Sequence, residues 1–490
     1  MIMRYRDMIY TAARCAVCAG GILSLLSLGG CKKYLNIPLP VNVIAGSGAF
    51  ENNAAASSVL TGIYADLLTS KSGKGAVFQG NVSMGCYTGL YTDEQTIVPV
   101  TLLSTSDLPF YTDALNSGIA GSYWSQLYQE IYAVNLAIEG LGPTHLSMRN
   151  QLLGEAYFLR ALLHFYLTNL YGAIPIAVVS DIQTNNLLAR SPQADVYRQI
   201  VADLGQAAVL LDDHYRDLNG AITTNRGRPD KMGVMALLAR VYLYTQDWVD
   251  AESQADSVIG DADYQLAPPL QVFLAGSQET IWGLEPLPPQ YSVADVVGYF
   301  IPPGVAPDSA GVGSYLSNEL VGAFEPGDAR FAGWVGVSTV AASGTRPAAT
   351  YYFAYKYKAG GQLAAPAEYL SMLRLGEVYL VRAEARARQG NIAGAAADLN
   401  MVRSRAGLGG TTASNQADML GAILHERQVE LFAEHGHRLF DLRRMGQLDA
   451  VMNVVAPLKG ASWSSYKEWW PILSTDIQID PNLVQTPGYE

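Results

Sequence analysis

The stretch Arg382-Ala383-Glu384-Ala385-Arg386-Ala387-Arg388-Gln389-Gly390-Asn391-Ile392-Ala393-Gly394-Ala395-Ala396-Ala397-Asp398-Leu399 decides the fold class of this chain. A helical run of small residues breaks at Gln389-Gly390-Asn391, a turn signal, and resumes with Ile392, Ala395, Leu399 and Val402 on a helical period. Small inward residues let two antiparallel helices approach closely, so the stretch reads as an αα-hairpin. The same arrangement occurs about 144 residues earlier, where Leu238-Ala239-Arg240-Val241-Tyr242 leads through Gln246-Asp247-Trp248 to Ala251, Ala255 and Ile259.

Helical patterning extends outward from these two units. Ser122 to Gly140 carries Leu127, Ile131, Val134 and Ile138 as one apolar stripe, and Leu152, Ala156, Leu159, Leu163, Tyr166 and Leu170 form the next, ended by Gly172 and Pro175. The close packing of small residues is the logic of tetratricopeptide hairpins. Between the hairpins the composition changes. Trp282 to Tyr357 holds 13 aromatics in 76 residues, with many Gly and Pro and no helical period. Tyr351-Tyr352-Phe353-Ala354-Tyr355 predicts a short strand there. The expected fold is therefore mainly α, a tetratricopeptide-like hairpin scaffold with an irregular, aromatic-rich loop and short-strand insert at 282–357.

The 490 residues are 49% apolar and only 16% charged, against roughly 25% charged in an average domain, which excludes a disordered chain or a coiled coil. Lys plus Arg number 32 against 44 Asp plus Glu, a net charge of −12, which argues against nucleic acid as a partner. At the N-terminus Arg4, Arg6 and Arg14 precede an apolar run from Ala16 to Leu28, and Leu28-Gly29-Gly30 leads into Cys31. The run is too short to span a bilayer. It predicts a lipoprotein signal peptide at 1–30, lipidation of Cys31 and an extended tether at 31–48. Cys15-x-x-Cys18 then falls in the removed signal, and Cys86 is expected to be a small buried hydrophobe.

Binding rather than catalysis fits the remaining chemistry. Sugar rings present apolar C–H faces to Trp and Tyr, and their hydroxyls need polar partners. Candidate ligand-binding residues are Trp334, Trp282, Tyr291, Tyr299 and Tyr315 in the insert, with Tyr87, Tyr91 and Asp93 before the first hairpin. Asp93-Glu94 is an adjacent acidic pair expected in a surface loop. The chain contains no G-x-S-x-G and no H-E-x-x-H sequence, although His425, His435 and His437 lie close together. No enzyme activity, metal or cofactor is expected. If the aromatics lie exposed on one concave face, sugar binding leads. If they are buried, a helical-repeat scaffold without sugar binding gains. A glycan hydrolase would need two carboxylates facing each other across a pocket.

Several blocks resemble the SusD/RagB family of nutrient-binding outer-membrane lipoproteins. They are Cys31-Lys32-Lys33-Tyr34-Leu35, Glu155 to Ala161 running on to Leu170-Tyr171-Gly172-Ala173-Ile174-Pro175, Arg228-Pro229-Asp230-Lys231 and Leu373 to Leu380. Asn400 to Gly407, Ile423 to Arg427, His437 to Arg444 and the tail Gln485-Thr486-Pro487-Gly488-Tyr489 continue the series in order. Thr486 departs from the family's usual Asn, and Lys32-Lys33 from the acidic residues that often follow the cysteine in surface-exported lipoproteins. The resemblance implies a SusD-like N-terminal helical region at 49–275 and a SusD/RagB C-terminal region at 276–490. It implies capture of oligosaccharide or polysaccharide on the cell exterior and delivery to a SusC-like, TonB-dependent outer-membrane transporter, without catalysis. It makes Glu426, Arg427, Glu430, Arg438 and Asp441 a structural charge network.

Overall fold

The computed structural model describes residues 48–69, 76–98, 107–118, 123–289, 291–344 and 346–489. The signal peptide, Cys31 and the tether through residue 47 lie outside the described residues. Phe50–Glu490 pack as one compact unit. Among the described residues no helix is long and apolar enough to cross a membrane.

The expected hairpins are all present. Helices α1 (Asn53–Leu68) and α2 (Met84–Tyr91) lead into the pair α3 (Tyr123–Leu141) and α4 (Arg149–Tyr171), and α5 (Gln193–Leu210) lies along α4. Helix α4 buries nearly its whole circumference, and Gly172 at φ 73° ends it, a backbone state that a side chain would strain. The two sequence-matched hairpins are α6 (Lys231–Tyr244) with α7 (Trp248–Ile259), and α8 (Leu375–Arg388) with α9 (Ile392–Arg405). Asp230, Asp247 and Asn391 cap α6, α7 and α9 by accepting from backbone N–H groups three residues on. Helices α10 (Gln416–Leu431), α11 (His437–Arg444) and α12 (Leu448–Leu458) complete the frame.

Although far apart in sequence, the two hairpins stand side by side. Arg240 of α6 forks onto Glu377 of α8, with Nε–Oε1 at 2.7 Å and the second bond at 2.5 Å, both residues buried. Arg382 reaches Asp256 at 2.6 Å and Arg386 reaches Glu252 at 2.7 Å, so α8 is also laced to α7.

Among the described residues the strands form antiparallel pairs. Strand β1 (Gln95–Ile97) pairs with β3 (Ser314–Leu316), placing Thr96 opposite Tyr315. Strand β2 (Thr280–Leu284) pairs with β6 (Leu370–Arg374), and β4 (Val335–Val340) with β5 (Ala349–Ala354). The strand predicted from Tyr351 to Tyr355 overlaps β5, which starts two residues earlier and ends at Ala354. The aromatic insert is not a free-standing subdomain: Trp282, Trp334, Tyr299 and Leu316 belong to the same apolar core as the helices. Only Ile301, Val312 and Phe353 form a small core of their own.

A buried charge knot joins the insert to the frame. Arg330, Arg374 and Arg405, from three separate segments, all reach Glu430 of α10. Arg330 adds Asp328 at 2.8 Å and Glu426 at 2.7 Å, and Arg374 adds Glu434 at 2.9 Å. Arg427 pairs with Asp441 at 2.6 Å, and Arg438 with Asp93 at 2.6 Å. The residues of the expected charge network are thus buried connectors between elements.

Candidate functional site

Most of the aromatic candidates prove to be core. Trp334 is fully buried (0% exposed), its Nε1 donating to Pro269 O at 2.6 Å. Lys356 Nζ stands 4.9 Å from its ring centroid, with the Arg405 and Arg374 guanidiniums at 5.2 and 5.9 Å and the Phe273 ring edge-on at 5.6 Å. The ring offers no face to a sugar, which corrects the leading expectation. Trp282 of β2 is likewise fully buried, edge-to-face with Phe158 at 4.9 Å, its Nε1 donating to Gly227 O at 3.3 Å.

Tyr91 is buried and donates to Lys467 O at 2.9 Å, between the edges of Trp463 and Trp470. Tyr87 stacks on Phe110 with ring centroids 4.0 Å apart and donates to Asp107 at 3.2 Å. Tyr299 is buried near Cys86, its phenol pushed up by burial and then by its acidic neighbours. Asp93 does not wait for a ligand either: both its oxygens accept from Arg438, at 2.8 and 2.6 Å. All six of these side chains belong to the interior of the fold.

Asp93-Glu94 is not a surface loop. Both residues are buried, and burial, reinforced by the charge of Asp93, pushes the Glu94 carboxyl up to about 8. Burial also pushes the Cys86 thiol up to about 12. His435 and His437 are buried, and desolvation lowers the proton affinity of both rings. Among the described residues no three metal-ligating side chains converge.

What the structure leaves accessible is a tyrosine face. Tyr315 of β3 and Tyr351 of β5 are half-buried and meet edge-on, with centroids 5.2 Å apart. Opposite Tyr315 on β1, Thr96 shares a hydrogen bond of 3.1 Å with the Tyr111 hydroxyl. Burial, then the nearby Tyr351 and Tyr111 phenols, raises the Tyr315 pKa, so its hydroxyl stays protonated as a donor at neutral pH. Tyr355 and the exposed Phe300 extend the surface, their rings 6.0 Å apart. Side chains two apart on a strand share a face, and this places Tyr351, Phe353 and Tyr355 on the side of Tyr315, whereas Tyr352 turns toward Phe331. That period of two was present in the sequence and could have singled out Tyr351. Tyr111 had no such signal.

Two recesses lie elsewhere. Tyr291, half-buried, stands on the rim of a cleft of mixed polar and apolar lining, about 450 Å³, between α1, the 216–228 loop and residues 285–288. A larger, mostly apolar groove of about 730 Å³ runs along α3, lined by Trp124, Tyr128, Tyr132 and Leu136 together with Ile182 and Ile479.

Residues 331–489 match the SusD family, and residues 86–243 match a family described as starch-binding, associating with the outer membrane. The chain is 25% identical to SusD-like protein P2 of Formosa agariphila over 96% of its length and 98% of that protein. It is also 25% identical to the starch-binding protein SusD of Bacteroides thetaiotaomicron, over 69% of this chain and 72% of the relative. Among solved structures, a SusD superfamily protein from Bacteroides fragilis superposes with a TM-score of 0.73 at 22% identity, covering 90% of this chain and 100% of the other. A laminarin-binding SusD-like protein superposes with a TM-score of 0.72 at 24% identity, covering 89% and 100%. These likenesses establish the mainly α, SusD-like fold.

Proposed function

The chain belongs to the SusD/RagB family, and from that premise we propose that it is a lipid-anchored outer-membrane protein that captures oligosaccharides on its tyrosine face. It passes them to a TonB-dependent transporter of the SusC kind, with Cys31 as its anchor and the tyrosine face toward the cell exterior. The observation that carries the binding reading is the pairing of accessible Tyr315 and Tyr351 rings beside the Thr96 and Tyr111 hydroxyls. Rings of this kind cover sugar C–H faces while neighbouring hydroxyls engage sugar hydroxyls. The names of the relatives, a starch-binding protein and a laminarin-binding one, point to glucans as first probes.

The test is calorimetric titration of the full chain in detergent with maltoheptaose and laminarihexaose. Covering about 50 Å² of ring at about 25 cal/mol per Å² contributes roughly 1.3 kcal/mol, close to tenfold in affinity. Tyr315→Ala and Tyr351→Ala are each expected to weaken binding by about that factor, with a small fall in melting temperature because both rings also pack on Ile301, Val312 and Phe353. Unchanged affinity in both variants would remove the tyrosine face as the site. For delivery, the intact lipoprotein is drawn from detergent-solubilised outer membrane. Stoichiometric recovery of a TonB-dependent barrel is expected, and its absence would sink the handover.

A second reading, a helical-repeat scaffold without sugar binding, draws support from the burial of Trp334, Trp282 and Tyr91 and from the apolar groove along α3. Titration with no heat from any glycan, together with recovery of protein partners, would favour it.

A further inference from the structure

The cleft beneath Tyr291 is built from elements that take no part in the tyrosine face. One wall is α1, through Thr61 and Tyr64; a second is the loop carrying Asn219, Thr223 and Asn225; the third is the chain leaving β2, through Glu285, Leu287 and Pro288, with Tyr291. Its volume of about 450 Å³ falls within the range of small-molecule sites.

Its polar groups are held in place from behind. Asn225 accepts from Gly227 N at 2.7 Å and donates to Glu285 Oε2 at 3.0 Å, and its own N–H donates to Thr223 Oγ1 at 3.1 Å. Trp282 clamps Gly227 from the core side through its Nε1. Arg228 is occupied by Glu155 at 2.8 Å and Thr61 at 2.7 Å, and Arg216 by Asp212 at 2.9 Å. Both guanidiniums in the lining are thus already neutralised by carboxylates.

This arrangement selects a ligand class. With its cations paired, the cleft has no surplus positive charge for a phosphate or a carboxylate ligand. It combines an ordered amide–carboxylate pair (Asn225 and Glu285), a threonine hydroxyl, and apolar surface from Leu287, Pro288 and the half-buried Tyr291 ring. An amide and a carboxylate held side by side can accept from and donate to vicinal hydroxyls, and the ring and proline cover C–H faces. The geometry points to a second saccharide site, a cleft that takes one end of a neutral oligosaccharide independently of the tyrosine face. It rests on the reading of this protein as a glycan binder.

A glycan long enough to reach both sites would be held at two points. Two sites on one polymer also raise the effective concentration of the second contact, so a long chain is held more tightly than two short ones.

The experiment compares four forms of the full chain in detergent, each first checked for a cooperative melting transition. They are wild type, the cleft variant Asn225→Ala/Tyr291→Ala, the face variant Tyr315→Ala/Tyr351→Ala, and the four-fold combination. The probes are maltoheptaose, laminarihexaose and the corresponding polymers, amylose and laminarin. Glu285→Gln, which keeps the side-chain shape, serves if Asn225→Ala melts low. The expected result is two equivalents of short oligosaccharide on wild type, one on each two-fold variant and none on the combination, with polymer affinity falling at least tenfold in either two-fold variant. One equivalent on wild type, unchanged in the cleft variant and lost in the face variant, overturns the second site and leaves the glycan-binding reading standing. No binding of any probe to wild type overturns both.

Discussion

Replacing Trp334 with alanine separates a core residue from a ligand contact. A Trp-to-Ala change in a sealed core costs about 3–5 kcal/mol in lost transfer energy and cavity. The side chain also donates to Pro269 O at 2.6 Å, a bond whose loss adds about 1 kcal/mol. Three cations face the ring, and the nearest, Lys356 Nζ at 4.9 Å, has its proton affinity lowered to about 8, chiefly by burial. With the ring gone that ammonium loses an attraction of about 2 kcal/mol for a desolvated pair. These terms overlap, and about 5 kcal/mol is the expected total. A unit of about 440 residues unfolds with an entropy near 0.9 kcal/mol/K, so the melting temperature should fall by about 5–6 °C. Scanning calorimetry reads this, and titration with glucan oligosaccharides well below the transition reads affinity. The expected outcome is a lowered melting point with affinity unchanged within twofold. Trp334→Phe keeps a ring before the cations and should lose about half as much stability. A variant that melts like wild type but binds glycan ten times more weakly would refute the burial argument and return Trp334 to the site.

Three further expectations follow from the buried charges. Glu377→Gln leaves Arg240 buried without a counter-charge and should destabilise by about 3–5 kcal/mol in urea unfolding, whereas Arg240→Met/Glu377→Met should cost less than either single change. A double variant that loses the sum of the two singles would contradict this. Burial opposes the Glu377 charge, but Arg240 outweighs it and holds the carboxyl below its ordinary 4.5; the pair's stabilisation is therefore present above about pH 4.5 and disappears as pH falls. Glu94 behaves oppositely. Its folded value of about 8 lies above its ordinary 4.5, so its ionisation weakens the fold progressively from pH 4.5 to 8, and Glu94→Gln should raise the melting point more at pH 8 than at pH 5. Equal gains at both pH values would show that the carboxyl titrates normally. Cys86, buried with its thiol pushed up to about 12, should stay inert to a thiol-reactive disulfide reagent until urea unfolds the chain; rapid labelling at neutral pH would place it at the surface.

The helical frame was legible because its signal is local. In α8 and α9 the small residues recur on the helical period and Gly390 marks the turn, so a window of some twenty residues contains the answer. The site was not legible in that way. Trp334 looked like a binding aromatic because its sequence neighbours are small, but its surroundings come from Phe273, Lys356, Arg374 and Arg405, which only tertiary folding brings to it. Asp93 looked available because Arg438 lies 345 positions away. In an irregular insert no period distinguishes a buried tyrosine from an exposed one. Only in β5, where the backbone is regular, does alternation separate Tyr351 from Tyr352.

The charge knot on α10 has a consequence for how such a protein can diversify. Arg330 before β4 and Lys356 after β5 act as two pegs, one reaching Glu426 and Glu430 and the other Glu430 O and Glu434. The hairpin between them carries Tyr351 and is held along its length as well, by Ser338 donating to Pro302 O and Val305 O, by the Arg346–Asp308 pair and by Phe353 packed on Ile301 and Val312. Replacing the half-buried Tyr351 ring therefore alters the outer surface of the hairpin without touching the ion pairs and hydrogen bonds that fasten it.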